Sequence, residues 1–156
     1  MKKYFLYLIF VPLFGCVMGQ VPPLLRALYH IQNGNLTQLD PILVEHASLL
    51  KQSFPILLHE AIACDQSLIL CNLLYRTKTD DYFINNLLCL AIAYRSPFSV
   101  RAIINNENWF KKVNQKKQLL HLARFFTDHC QIKECARKGD LVVNLLQNVC
   151  GPTAKL

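Results

Sequence analysis

The chain has 156 residues, of which 53% are apolar and 17% are charged, with only 5 Gly and 7 Pro. This length fits a single domain with a packed core, and so many apolar residues exclude a natively disordered chain. The scarcity of Gly and Pro favours helices over a turn-rich β-sandwich, and the formal net charge of +7 favours anionic partners.

The first residues have the build of a leader for export. Lys2 and Lys3 precede an apolar run from Tyr4 to Phe14, and no acidic residue occurs before Asp40. A short basic head followed by about ten apolar residues is typical of a secretory signal peptide, whose basic residues stay on the cytoplasmic side. The sequence therefore predicts an exported protein.

Three fates of this leader are open. Leu13-Phe14-Gly15-Cys16 resembles a bacterial lipobox, in which Cys16 is lipidated and becomes the new N-terminus. A leader peptidase cutting after Gly19 would instead release a soluble periplasmic or secreted chain. The third fate is an uncleaved anchor, because the stretch from Tyr4 to Val21 is about 18 residues long, enough to span a bilayer. The first and third fates hold the domain at a membrane surface, and several acyl chains on one cysteine do so durably.

The rest of the chain repeats itself about every 30 residues. The segments 57–63 and 87–93 share Leu-Leu-x-x-Ala-Ile-Ala, and 119–123 restates Leu-Leu-His-x-Ala. Four anchor positions follow at spacings of 31, 30 and 32 residues: His30, Ala61, Ala91 and Ala123. Apolar pairs return 12 and 13 residues after the anchors, at Ile42-Leu43, Leu73-Leu74, Ile103-Ile104 and the weaker Cys135-Ala136. A period of this length indicates stacked repeats.

Each unit predicts two short helices joined by a tight turn. In chain order the predicted pairs are 24–32 with 36–43, 56–64 with 68–76, and 87–94 with a helix opened by Ser96-Pro97. Ser67 is the predicted N-cap in the second unit, and Gly34 supplies a helix stop in the first. In the last unit Asp128 caps a helix to about Lys138, and Gly139-Asp140 ends it and begins a helix over 141–149.

These units resemble ankyrin repeats. Leu58-His59-x-Ala61 and Leu120-His121-x-Ala123 match the family's Leu-His-x-Ala signature, and Gly34-Asn35 stands at the turn between helices. The resemblance implies an all-α, helical-hairpin solenoid of about four repeats with a C-terminal capping helix. It also implies that His59 and His121 hydrogen-bond the turn backbone at the helix start.

Several features depart from the family. The Thr-Pro before Leu-His is missing, Asp65 and Arg95 replace the turn Gly, and the period is shorter than the usual ~33 residues. Another helical-hairpin array or a plain helical bundle is the alternative. The predicted division of the chain is a signal peptide or membrane anchor, an ankyrin-like domain and a tail, at residues 1–19, 20–150 and 151–156.

No pattern in the sequence predicts catalysis. A Cys-His hydrolase needs a thiolate beside an imidazole, and no local signature joins the seven cysteines and five histidines. A zinc site at His129, Cys130, Cys135 and Cys150 would lack any Cys-x-x-Cys pair. We predict no enzyme, no metal and no cofactor. Buried free thiols and disulfides are both open for the cysteines.

The resemblance implies a protein-interaction module that binds a partner protein through its loops and concave face. The predicted partner-binding residues lie mainly in the loop 105–118: Trp109, Phe110, Lys111, Lys112, Lys116 and Lys117, with Tyr82 from the preceding loop. The alternative is that the aromatic rings pack under the loop and the lysines form a solvated face. The same lysines would attract anionic headgroups or an acidic partner. An exported protein rarely meets nucleic acid, so none is predicted. A small structural envelope lipoprotein is the other function left open.

Overall fold

The computed structural model describes residues 21–77, 81–111, 113 and 116–150. The leader, including Cys16 and the Gly19 cleavage position, and the tail 151–156 lie outside these residues. Within the described residues the regular elements are all α-helices: α1 (Pro23–Gln32), α2 (Leu36–Glu45), α3 (Ala47–Lys51), α4 (Phe54–Ala63), α5 (Ser67–Arg76), α6 (Asp81–Ala93), α7 (Pro97–Asn105), α8 (Glu107–Phe110), α9 (Lys116–Asp128) and α10 (Lys133–Cys150). The predicted all-α class is confirmed.

The longer helices form hairpins that pack in series. The pairs are α1 with α2, α4 with α5, α6 with α7, and α9 with α10. The first helices contact one another in the order α1, α4, α6, α9, and α5, α7 and α10 follow one another in a second row. The short turns inside the hairpins therefore all lie at one end of the packed helices, which we call the turn end. The connections between successive hairpins lie at the opposite end, which we call the loop end.

Three successive turns have the same backbone geometry. Gly34, Asp65 and Arg95 have φ of 66°, 55° and 53°. The next residue in each turn donates its N–H to the carbonyl five residues back, as Gln66 does to Ala61 at 2.8 Å. This is the Schellman ending of a helix, which needs one residue in the left-handed region. The predicted turn positions are confirmed, including the two at which Gly is replaced.

The core forms where the two rows of helices meet. The anchor alanines Ala61, Ala91 and Ala123 are buried, as are the apolar pairs that follow the first three anchors: Ile42-Leu43, Leu73-Leu74 and Ile103-Ile104. The alanine at each of these three anchors lets neighbouring helices approach closely, and the branched pairs fill space in the same core. The repeat register read from the sequence is thus the register of burial in these three units.

The last unit departs from the prediction. α9 continues to Asp128 where a helix was expected to begin, and α10 is a single helix across Gly139. Gly139 ends nothing because it is a packing residue: a Cβ there would lie 3.1 Å from the Thr127 Cβ and closer still to its hydroxyl. The pair Cys135-Ala136 is only half-buried, and Val142 and Leu146 fill the core instead.

Candidate functional site

Hydrogen bonds between units hold the turn end in register. The Asp65 carboxylate accepts from the N–H groups of Ser99 and Phe98, at 2.8 and 3.3 Å, and so caps the helix of the next unit. The Ser96 hydroxyl donates to the Ile62 carbonyl at 2.7 Å. These bonds join the second and third hairpins at their turns, and the side chains displayed there stand on a rigid frame.

Exposed rings stand on, or just after, the first helix of every unit, near the turn end. We call these five rings the aromatic strip: Tyr29, His59, Tyr94, Phe125 and His129. Phe125 is 56% exposed and Tyr94 is 44% exposed. Aromatic rings are enriched among the residues that dominate protein–protein binding energy.

Contacts within the strip hold four of its five rings in place. The Tyr94 hydroxyl lies 3.0 Å from His59 Nε2, and the two rings meet edge to face with centroids 5.2 Å apart. Phe125 and His129 have ring centroids 4.4 Å apart, and His129 Nδ1 lies 2.9 Å from the Phe125 carbonyl oxygen. Rings fixed before binding lose less side-chain entropy when a partner covers them.

The histidine role implied by the family resemblance is wrong for His59. Its ring is exposed and bridges two units through the Tyr94 hydroxyl, rather than bonding the turn backbone of its own unit. His121 is also exposed.

Trp109 is not the exposed anchor that partner binding requires. It is 6% exposed and packs on the Tyr75 ring, with centroids 5.3 Å apart. Asn106 fixes this arrangement: its side-chain oxygen accepts from the Trp109 N–H at 3.2 Å, and its amide donates to the Tyr75 hydroxyl at 3.2 Å. The packed alternative holds because a large ring gains more from burial under a short loop than from standing in water.

The predicted lysines do gather at the loop end. Lys111 is exposed and pairs with Glu107 at 3.5 Å. Lys116 places its Nζ 4.2 Å from the centroid of the half-buried Phe110 ring. Lys117, one residue further along α9, is exposed. Lys112 and the side chain of Tyr82 lie outside the described part of the chain.

Five cysteines of the described segments are free thiols: Cys64, Cys71, Cys89, Cys130 and Cys135. The side chain of Cys150 lies outside the described part of the chain. Burial raises the pKa of the Cys64 thiol to about 11, with a smaller contribution from Glu60, and burial also raises the pKa of Cys71 and Cys89. These three thiols are protonated at neutral pH and are poor nucleophiles. No metal-binding group of three or more His, Cys, Asp or Glu forms among the residues described.

The sequence analysis did not predict that Leu68 and Phe98 would be exposed apolar side chains, at 75% and 62% exposed. Both stand seven residues after an anchor, at the start of α5 and α7, so the repeat register carried a signal for them. Tyr94 and Phe125 were missed because they occupy different repeat positions and meet their neighbours only when the hairpins pack.

Comparison with protein-family models, with curated proteins and with solved structures finds no match for this chain. Among the helices of the described residues, none has the length and apolar character needed to cross a bilayer.

Proposed function

We propose that this protein is an exported, lipid-tethered interaction module of ankyrin type that binds a partner protein through its aromatic strip. The observation that carries the proposal is the strip itself, in which every unit contributes at least one exposed ring on or beside its first helix, near the turn end. A row of pre-positioned rings on a rigid frame favours binding over catalysis.

The ankyrin assignment is supported by three features taken together. The Leu-His-x-Ala signature occurs twice, and the helices of the hairpins form two rows. Each of three turns has one residue in the left-handed region. Lipidation at Cys16 is supported by the basic head, the apolar run and the four residues that resemble a lipobox. Tethering would confine the domain to a surface and so raise the effective concentration for a membrane-bound partner.

Binding would proceed by covering the strip, without covalent chemistry. Tyr and Phe rings provide large contact areas and have only two side-chain torsions to immobilise. The His59–Tyr94 bridge would hold two of them in their bound orientation. A purely structural envelope protein has no need of such a surface, which is why binding is the function we favour.

Site-directed photo-crosslinking in the native host tests this proposal. A photoreactive residue is placed at Tyr29 or Phe125, at opposite ends of the strip, and in control variants at Leu141 of α10 or Arg101 of α7. We expect the same protein adduct from both strip positions and none from the two second-row positions. Equal adducts from both rows, or none from the strip, would contradict the proposal.

A further inference from the structure

The start of the described chain lies at the loop end. α1 begins at Pro23 and runs toward the turn at Gly34, so Val21 and Pro22 lie at the same end of the hairpins as the connections. Cys16 precedes Val21 by five residues, which span at most about 18 Å when fully extended. A lipid on Cys16 therefore brings the loop end, rather than the turn end, to the membrane.

A cluster of basic side chains lies at that end. Lys111, Lys116 and Lys117 lie between α8 and the first turn of α9, and Glu107 is the acidic residue facing them at 3.5 Å from Lys111. Anionic headgroups attract such clusters, by about five-fold in affinity for each basic residue near the surface.

Two of these lysines are placed against the local preference of their helix. Lys116 and Lys117 occupy the first turn of α9, which contains no acidic residue. The positive end of a helix dipole disfavours cations there by about 0.3–1 kcal/mol each. Residues that break a local rule are candidates for a function that local stability does not explain.

We propose that the loop end of the hairpin series lies against an anionic lipid surface, with Lys111, Lys116 and Lys117 binding the headgroups. This inference rests on the lipid tether of the proposed function. It leaves the aromatic strip, which lies near the turn end, facing away from the membrane and open to a partner.

Charges at the turn end cannot substitute for these lysines. The 13 residues of α9 span about 20 Å, roughly twice the ~8–10 Å screening length of physiological salt. Lys133, Arg137 and Lys138 are exposed basic residues in the first two turns of α10, which begins at the turn end. Replacing them removes the same charge from the protein while leaving the loop end intact, so they give a matched control.

The test uses the processed protein in vesicles and the chain's single Trp. Trp109 lies buried beside the loop-end lysines and transfers energy to a dansyl-labelled lipid only when that end is close to the bilayer. The vesicles contain phosphatidylglycerol and phosphatidylcholine, or phosphatidylcholine alone. We compare the wild type, the loop-end variant K111Q/K116Q/K117Q and the turn-end variant K133Q/R137Q/K138Q.

For an acylated protein, we expect stronger transfer on anionic than on neutral vesicles. The difference should vanish in high salt and in the loop-end variant, and persist in the turn-end variant. Equal transfer on the two lipids, or equal loss in both variants, would overturn the proposal.

The intact mass, measured first, separates failure of the tether from failure of the surface. If the chain is not acylated, the lipid tether of the proposed function is rejected. Binding to the same vesicles is then measured by sedimentation instead of energy transfer. We then expect the loop-end variant alone to lose about 100-fold in vesicle affinity. Loss of affinity in both variants, or in neither, would overturn the proposal that the loop end binds anionic lipid.

Discussion

Asp65 and Arg95 show how a residue can fill a turn position that glycine would fill at less cost. A left-handed backbone costs a residue with a Cβ about 1–2 kcal/mol. Asp65 offsets this by accepting from two N–H groups of the next unit. Arg95 offsets it by donating to the Phe126 carbonyl, at the end of the next first helix. The strained residue of each turn is thus the one that fixes the neighbouring hairpin.

Removing the Asp65 carboxylate should separate the cap from the backbone strain. Asp65→Ala loses the cap and keeps the strain, so we expect a loss of about 1–2 kcal/mol in the free energy of unfolding. Asp65→Gly loses the same cap but relaxes the backbone, and should be about 1 kcal/mol more stable than the Ala variant. Urea unfolding measures both values. An Ala variant as stable as the wild type would contradict the capping role.

Cys64 should be unreactive in the folded protein. Its pKa of about 11 follows from burial and from the neighbouring Glu60 carboxylate, whose oxygen lies 3.6 Å from the thiol sulfur. At pH 8 we expect alkylation roughly 100-fold slower than in the urea-unfolded chain, since the rate follows the thiolate fraction. Glu60→Gln removes the negative charge and should speed the reaction. Peptide mapping by mass spectrometry gives the rates, and equal rates in folded and unfolded protein would contradict the burial argument.

Gly139 decides how two helices of the last hairpin meet. An Ala in the middle of a helix gains about 1 kcal/mol over Gly, but a Cβ at this position overlaps the Thr127 side chain. Overpacking costs about 1–3 kcal/mol, so Gly139→Ala should be net destabilising.

The same change in a Thr127→Ala background gives the control. The double variant removes the overlapping hydroxyl and methyl but keeps the Cβ of residue 127 at 3.1 Å, so Gly139→Ala should there cost less than in the wild type. A double-mutant cycle by thermal unfolding measures the coupling. Purely additive effects would mean that Gly139 is present for another reason.

We expect Lys117, in the first turn of α9, to lower the free energy of unfolding while it strengthens binding to anionic lipid. Lys117→Glu replaces a cation at the positive end of the helix dipole by an anion, and should raise the free energy of unfolding by about 1 kcal/mol. The same variant should bind anionic vesicles more weakly. Gln118→Glu adds the anion while keeping Lys117, and serves as the control. A destabilised Lys117→Glu variant would show that this lysine supports the fold rather than the surface.

At the scale of the whole molecule, much of the fold could be predicted from local patterns in the sequence. The anchors about 30 residues apart, and the apolar pairs after them, predict the helices, the turns and the buried side of the first three units. Those patterns are local because each hairpin repeats the same packing against its neighbour. The Lys cluster at the loop end is predicted for the same reason, since its members are close in sequence.

The remaining features depend on contacts that no local pattern encodes. Trp109 is buried because Tyr75, in the preceding unit, offers it a surface. From the sequence alone Gly139 is predicted to end a helix, but in the structure it packs against Thr127 within the continuous α10. The rings of the strip occupy different repeat positions, so a contact such as that between His59 and Tyr94 follows only from the packing of the hairpins.

The measurement that tests the central claim most directly is the partner affinity of Phe125→Ala against that of Leu141→Ala. Both side chains are large, apolar and about half exposed, at 56% and 49%, but only Phe125 belongs to the strip. With the crosslinked partner in hand, we predict that Phe125→Ala lowers its affinity by more than about 30-fold, equivalent to roughly 2 kcal/mol. Leu141→Ala should leave the affinity unchanged. Equal affinities for the two variants would contradict the claim that this protein acts by binding through its aromatic strip.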